Sequence, residues 1–260
     1  MIKHNNPIIG IVMKPILKSQ FNGSIWKELF IKQDFADVLS KHSATCIGII
    51  PHMIPLDREV SNDIDLSNEC ELSYIEKTHL ISQMELCDGI ILQGGLSSHK
   101  YEVFIANYAI KHNIPLLGIC AGFNNIARAI GIDVEYDEEL AKLHDIYSTK
   151  PCHEISICDN GNLLNKVLND KVIRVNSVHS MILNISTIKL NNRIVVEATA
   201  QNTRNENNES VVTVEAFSIK NVNFCLAIKW HPELCPDDNA TKAIFNSFIK
   251  ACSKYKYRRN

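Results

Sequence analysis

Between Ile114 and Ile130 the chain changes its hydrophobic period with no loop between. Ile114-Pro115-Leu116-Leu117-Gly118-Ile119 is apolar almost throughout, the pattern of a strand buried on both faces. Cys120, Ala121 and Gly122 follow at once, and apolar residues then recur at Phe123, Ile126, Ala127 and Ile130, the spacing of a helix face. A buried strand that passes straight into an amphipathic helix is a unit of parallel α/β architecture.

The same alternation fills the first half. Pro7 to Met13, Thr45 to Ile50 and Asp88 to Leu92 are further short apolar runs. Helical spacing lies between them, at Trp26 to His42, Ile75 to Leu86 and Ser97 to His112, with Ser97 or Ser98 as the expected N-cap. Residues 56–74 are acidic and polar and read as a loop. From His153 the pattern turns to β-rich stretches: 153–158, 171–175, 194–198, 211–217 and 224–230. The polar run Asn202 to Ser210 reads as a hairpin loop, and Asp237-Asp238 opens a last helix. The expected fold is an α/β sandwich with a mainly parallel central sheet and additional strands in the second half. No Pro-, Gly- or Ser-rich linker divides the 260 residues, so a single domain over 1–260 is expected.

Composition narrows the function classes. With 27 Lys+Arg against 29 Asp+Glu the chain has no net basic character, and neither nucleic acid nor membrane is expected as a partner. The basic tail Lys254 to Arg259 reads as a solvated, frayed terminus. The first apolar run is too short for a signal peptide or a membrane span, which gives an expected cytoplasmic location. Nine cysteines with no C-x-x-C pair fit neither a disulfide framework nor a structural zinc site. His231-x-x-x-Cys235 offers only two ligands, and Gly94-Gly95 lacks the rest of a phosphate loop, so no metal and no cofactor are expected. His144 and His153 flank a polar stretch and read as surface or loop histidines.

Gly118-x-Cys120-x-Gly122 is the cysteine counterpart of the nucleophile elbow. A nucleophile on a tight strand-to-helix turn needs small neighbours two residues to either side, because side chains there would crowd the turn. The turn sets the sulfur at a helix N-terminus, where dipole and free N–H groups favour thiolate. A thiolate nucleophile needs a base and an orienting group. His231-Pro232-Glu233, at the end of the apolar run Phe224 to Trp230, supplies both: Glu233 accepts from one ring nitrogen while the other faces sulfur. The Ala121 N–H, next after the cysteine, would face a developing oxyanion.

These residues resemble a known family. Gly-Ile-Cys-Ala-Gly at 118–122 with Trp-His-Pro-Glu at 230–233 looks like the class I glutamine amidotransferase-like superfamily. Within it the chain is most similar to the γ-glutamyl-γ-aminobutyrate hydrolase and folate γ-glutamyl hydrolase family. Pro7 to Ile11, Asp88 to Gly95, Val175 to His179, Val214 to Phe217 and Ile244 to Ile249 carry that finer resemblance, in order along nearly the whole chain. The resemblance implies a flavodoxin-like three-layer fold and hydrolysis of a γ-glutamyl amide through a thioester. It assigns Cys120 as nucleophile, His231 as base and then acid, and Glu233 as the orienting group. Backbone N–H groups of Ala121 and of Gly94 or Gly95 would form the oxyanion hole. Asn176, Ser177 and His179, with Asn124 on the first turn after the elbow, would lie near the substrate.

The departures fall outside the triad. Relatives usually carry Arg after the cysteine and Gln soon after, where this chain has Ala121 and Asn124. Their Gly-Gly turn leads into a longer loop with an Asp, and their V-N-S-x-H segment continues His-Gln instead of Ser180-Met181. The expected partner is a small γ-glutamyl substrate, with a homodimer left open. The rival readings are a glutaminase subunit that feeds ammonia to a separate synthase, and a catalytically silent binding protein on the same scaffold.

Overall fold

The computed structural model describes residues 6–16, 28–51, 69–144, 148–188, 191–204 and 209–259. In chain order the strands are β1 (Ile8–Val12), β2 (Lys14–Pro15), β3 (Leu29–Phe30), β4 (Thr45–Ile49), β5 (Gly89–Leu92), β6 (Leu116–Ile119) and β7 (Glu135–Tyr136). Then come β8 (Ser148–Ile157), β9 (Val172–Ser177), β10 (Met181–Ile182), β11 (Ile194–Arg204), β12 (Glu209–Ile219) and β13 (Cys225–Ile228). The helices are α1 (Gln33–Lys41), α2 (Tyr74–Met84), α3 (Lys100–Lys111), α4 (Ala121–Ala129), α5 (Glu138–His144), α6 (Leu164–Val167), α7 (Ile185–Ile188) and α8 (Asn239–Arg259).

A nine-stranded sheet runs in the order β4-β1-β5-β6-β13-β12-β11-β8-β9. Its first five strands are parallel and follow the flavodoxin-like order, second-first-third-fourth-fifth. The rest are antiparallel, which accounts for the β-rich second half of the sequence. The continuous apolar runs arise because both faces of the parallel strands are covered. Ile90, Leu92 and Leu116 point into a core shared with Leu80 and Met84 of α2, Ile105 and Ala109 of α3, and Phe123 and Ile126 of α4. Ile9, Ile11, Ile91, Leu117 and Ile119 point to the other face, against Phe35 and Val38 of α1 and Phe245 and Phe248 of α8. Each such side chain, fully buried, contributes roughly 1.5–3 kcal/mol of transfer free energy. Ligands of such sheets bind beyond the carboxyl ends of the strands, and that edge carries Lys14, Gly94, Cys120 and His231.

The structure departs from the sequence reading at element ends. The first helix begins at Gln33, because Leu29 and Phe30 pair with Pro15 and Lys14 as a small ribbon. The N-cap of α3 is His99, since Ser97 is held elsewhere: its carbonyl accepts from Lys14 Nζ and its hydroxyl bonds His99 Nε2. The hairpin is longer than its apolar core suggested, with β11 reaching Arg204 and β12 starting at Glu209; residues 205–208 lie outside the described residues, as do 56–68 of the acidic loop. The basic tail is not frayed. It is the last turn of α8, and Arg259 donates to the carbonyl of Cys87 and pairs with the buried Asp88 at 3.1 Å. Among the described residues no helix is long and apolar enough to cross a membrane.

Candidate active site

Cys120 directly follows β6 and is the N-cap of α4, with φ 54° and ψ −105°. A non-glycine residue in this region carries strain of about 1–3 kcal/mol, and it persists only where the surroundings fix it. Here the surroundings are the flanking glycines. A Cβ on Gly122 would overlap the Leu92 carbonyl oxygen of β5, and one on Gly118 would lie 2.5 Å from Ile126 Cδ1. The spacing read from the sequence is thus a packing requirement between β5, β6 and α4. At the helix start, the N–H of Ala121 is among the first donors of α4, which have no acceptor within the helix.

His231 reaches the same point from the neighbouring strand. Parallel pairing sets Ile228 beside Ile119, and Cys120 N donates to Ile228 O at 2.9 Å, so the segments beyond both strands emerge together. His231 precedes a 3-10 turn, Pro232–Leu234, which brings Glu233 back to it: His231 Nδ1 and Glu233 Oε1 are 2.7 Å apart. That leaves Nε2 as the nitrogen available to sulfur, and Cys120 and His231 act on each other electrostatically. Both residues are buried, Glu233 almost completely. The backbone of His231 is clamped from β9, where Asn176 accepts from its N–H at 2.7 Å and donates to its carbonyl at 2.8 Å.

The electrostatics favour an ion pair. Burial pushes the Cys120 thiol up, but the charge and hydrogen bond of His231, with Lys229 and Lys32 beyond, outweigh it and leave the thiol below its ordinary value. For His231, burial works against the charged ring, and Glu233 and Cys120 together more than reverse that, so its pKa is raised. Cys225 and Cys252, buried without such partners, are pushed upward instead.

A cavity of about 310 Å³ opens on the sulfur, lined by Lys14, Phe30, Lys32, Leu96, Val178 and His231 among others. Gly94 and Gly95 form its turn. A Cβ on Gly94 would overlap His231 Cε1 and approach Cys120 Cβ to 3.1 Å, and one on Gly95 would meet Lys14 Cδ at 2.7 Å. Lys14 is buried, donates to Ser97 O at 2.5 Å and pairs with Glu102 at 2.9 Å, which fixes the loop after the turn. Gln93 ties the turn to the opposite wall, donating to the carbonyls of Val12 and Phe30 and accepting from Lys32 N. Sequence reading missed Lys14, Lys32 and Gln93 as site residues.

The structure thus brings together Cys120, His231, Glu233, Gly94, Gly95 and Ala121. Of the remaining sequence-derived candidates, Asn176 holds the His231 backbone, and Asn124 Oδ1 accepts from the buried Lys229 ammonium at 2.6 Å. Ser177 Oγ donates to the His144 carbonyl, and His179 sits 3.5 Å from Glu215. None of these four is among the residues lining the cavity. His144 is almost wholly inaccessible and His153 is half-buried, contrary to the surface reading, because α5 and β8 fold both against β11 and β12.

Residues 96–233 match the model of Peptidase C26. The chain belongs to the Peptidase C26 family. It is a hydrolase of the class I glutamine amidotransferase-like type. Among curated relatives of this C26 protein is the γ-glutamyl-γ-aminobutyrate hydrolase PuuD of Escherichia coli, 25% identical over 96% of this chain and 95% of that one. Among solved structures, the fold resembles the glutaminase domain of Trypanosoma brucei CTPS with bound acivicin (TM-score 0.61, 17% identity, 96% of this chain and 94% of that one). It also resembles a glutamine amidotransferase from Thermotoga maritima (TM-score 0.51, 11% identity, 97% of each chain).

Proposed function

We infer that this Peptidase C26 protein hydrolyses a γ-glutamyl amide or isopeptide through a thioester on Cys120, releasing a glutamyl acid and an amine. The observation that carries the reading is the positive-φ Cys120 at the start of α4, facing a histidine whose other nitrogen is held by Glu233. The Cys120 thiolate attacks the δ-carbonyl carbon, and the carbonyl electron pair moves onto oxygen. That oxygen faces the N–H of Ala121 and the Gly94–Gly95 turn, where each well-placed donor is worth about 3 kcal/mol in the transition state. His231 gives its proton to the leaving nitrogen as the C–N bond breaks. It then takes a proton from water as water attacks the thioester, and the thiolate leaves. Glu233 keeps the imidazole oriented through both steps and offsets its charge.

The cavity has the volume of a small-ligand site. Lys32 is on its wall, and its charge reaches the thiol. A glutamyl group carries an α-carboxylate, and Lys32 is the side chain assigned to receive it. Lys32→Met is expected to raise KM for a γ-glutamyl amide about tenfold, the scale of one lost charged hydrogen bond, with a smaller change in kcat. Steady-state kinetics check this; an unchanged KM removes Lys32 from substrate recognition.

The likeness to a CTPS glutaminase domain favours a second reading, in which glutamine is the substrate and ammonia passes to a separate synthase. One panel separates the two. The native chain is offered γ-glutamyl amides of varied leaving amines together with glutamine, and free amine and ammonia are quantified. Turnover of substituted amides well above that of glutamine supports the hydrolase reading; turnover of glutamine alone supports the other.

A further inference from the structure

Four side chains of metal-ligating type, from four separate segments, converge next to this centre. His144 ends α5, His153 is on β8, Glu215 is on β12, and His179 follows Val178, whose carbonyl is 3.6 Å from the Cys120 sulfur. One donor atom from each lies within 4.8 Å of the other three. His179 Nε2 and Glu215 Oε2 are already 3.5 Å apart, near the roughly 3.3 Å between two ligands of a tetrahedral zinc ion. The His144 ring lies 5.0 Å from that of His153 and 4.7 Å from that of His179, close to the roughly 5 Å of rings radiating from one such ion.

Several donor atoms are also unused. His144 Nδ1, His153 Nε2 and His179 Nδ1 are buried with no hydrogen-bond partner, and His179 Nε2 and Glu215 Oε2 have only their 3.5 Å pairing with each other. Buried polar atoms are normally paired, and a cluster of them facing one point asks for an occupant. The other ends of two of these groups, by contrast, are firmly held. His144 Nε2 bonds Asn202 Oδ1 at 3.0 Å, which leaves Nδ1 as the free lone pair. Asn202 donates to Thr213 Oγ1 at 2.9 Å, and Thr213 donates to Glu215 Oε1 at 3.1 Å. One network therefore orients a histidine and a carboxylate toward the same point, as the outer contacts of metal ligands do.

The geometry points to a closed, structural transition-metal site of the zinc type, with His144, His153, His179 and Glu215 as its ligands. Three nitrogens and one carboxylate oxygen suit zinc and disfavour calcium or magnesium, which take oxygen ligands. Four protein ligands fill a tetrahedron, so the ion would join α5, β8, the β9–β10 connection and β12 without an open position for catalysis. Lys229 and Arg174 are nearby cations that oppose a bound ion, which leaves Glu215 as its counter-charge. No sequence motif marks this site, because its ligands are scattered from residue 144 to residue 215.

The test uses the full chain and zinc or cobalt alone, and it does not depend on which reaction Cys120 performs. After exposure to Zn²⁺ and desalting, the native chain and Cys120→Ser should both retain about one zinc per chain and unfold at a higher temperature than without metal. Co²⁺ should give the visible bands of a tetrahedral site without a thiolate charge-transfer band. His153→Gln and Glu215→Gln should lose most of the retained metal; His153 is half-buried, so its variant remains informative if the other fails to fold. A native chain that retains no zinc overturns the proposal. So does zinc retained equally by both variants, or a cobalt spectrum with a thiolate band, since either places the ion on the cysteines.

Discussion

Replacing Cys120 by alanine is expected to abolish turnover while the protein stays folded. The side chain lost is small, and Cys120 already occupies the positive-φ conformation whose cost an alanine would also bear, so the melting temperature should change by no more than a few degrees. Activity should fall by about 10⁴-fold or more, because without sulfur no acyl-enzyme forms and residual catalysis rests on the oxyanion donors and binding alone. Steady-state assay of a γ-glutamyl amide beside a thermal melt checks both halves. Wild-type turnover in the alanine variant would remove Cys120 as nucleophile.

Glu233→Gln is expected to lower kcat by about 10⁴-fold, the scale seen when the orienting carboxylate of a triad becomes an amide. Glu233 Oε1 lies 2.7 Å from His231 Nδ1 in a nearly water-free position, so an amide in its place removes the charge that favours imidazolium. The His231 pKa should fall. The Cys120 thiol, having lost part of its cationic partner, should rise toward and past its ordinary value, because burial alone pushes it upward. The sign is testable in a pH profile: the rising limb of kcat/KM should move to higher pH in Glu233→Gln. A rising limb that stayed in place would mean that Glu233 does not tune the pair.

Much of this site was legible because its determinants are local. Gly118, Cys120 and Gly122 are spaced by the sterics of one turn, and His231 and Glu233 by one short 3-10 turn. The parallel half of the sheet was legible for a similar reason, since strands buried on both faces are apolar at every position. What escaped depends on partners far along the chain. Lys14 lies just past the first apolar run and carried no sequence signal, yet it is held by Ser97 and Glu102, more than 80 residues away. Asn176 was read toward the substrate, and its amide spans 55 residues to grip the His231 backbone. Nothing in the basic composition of the tail indicated that Arg259 would close over Asp88. Helix and strand ends moved wherever a side chain such as Ser97 had a stronger tertiary partner than its local cap.

The claim on which the account turns is that one thiol of nine is held as a thiolate by His231. Limiting iodoacetamide, applied to the native chain across a pH series and read peptide by peptide by mass spectrometry, measures it directly. Since the thiolate is the reactive form, a depressed pKa keeps the thiol reactive as pH falls below the ordinary thiol value of about 8.5, and reactivity fades only through the lower one. Cys120 should therefore be alkylated faster than the other eight thiols at about pH 6.5, ahead even of the exposed Cys70, and His231→Gln should abolish that lead. Preferential labelling of Cys70, or a Cys120 rate that His231→Gln leaves unchanged, would contradict the account.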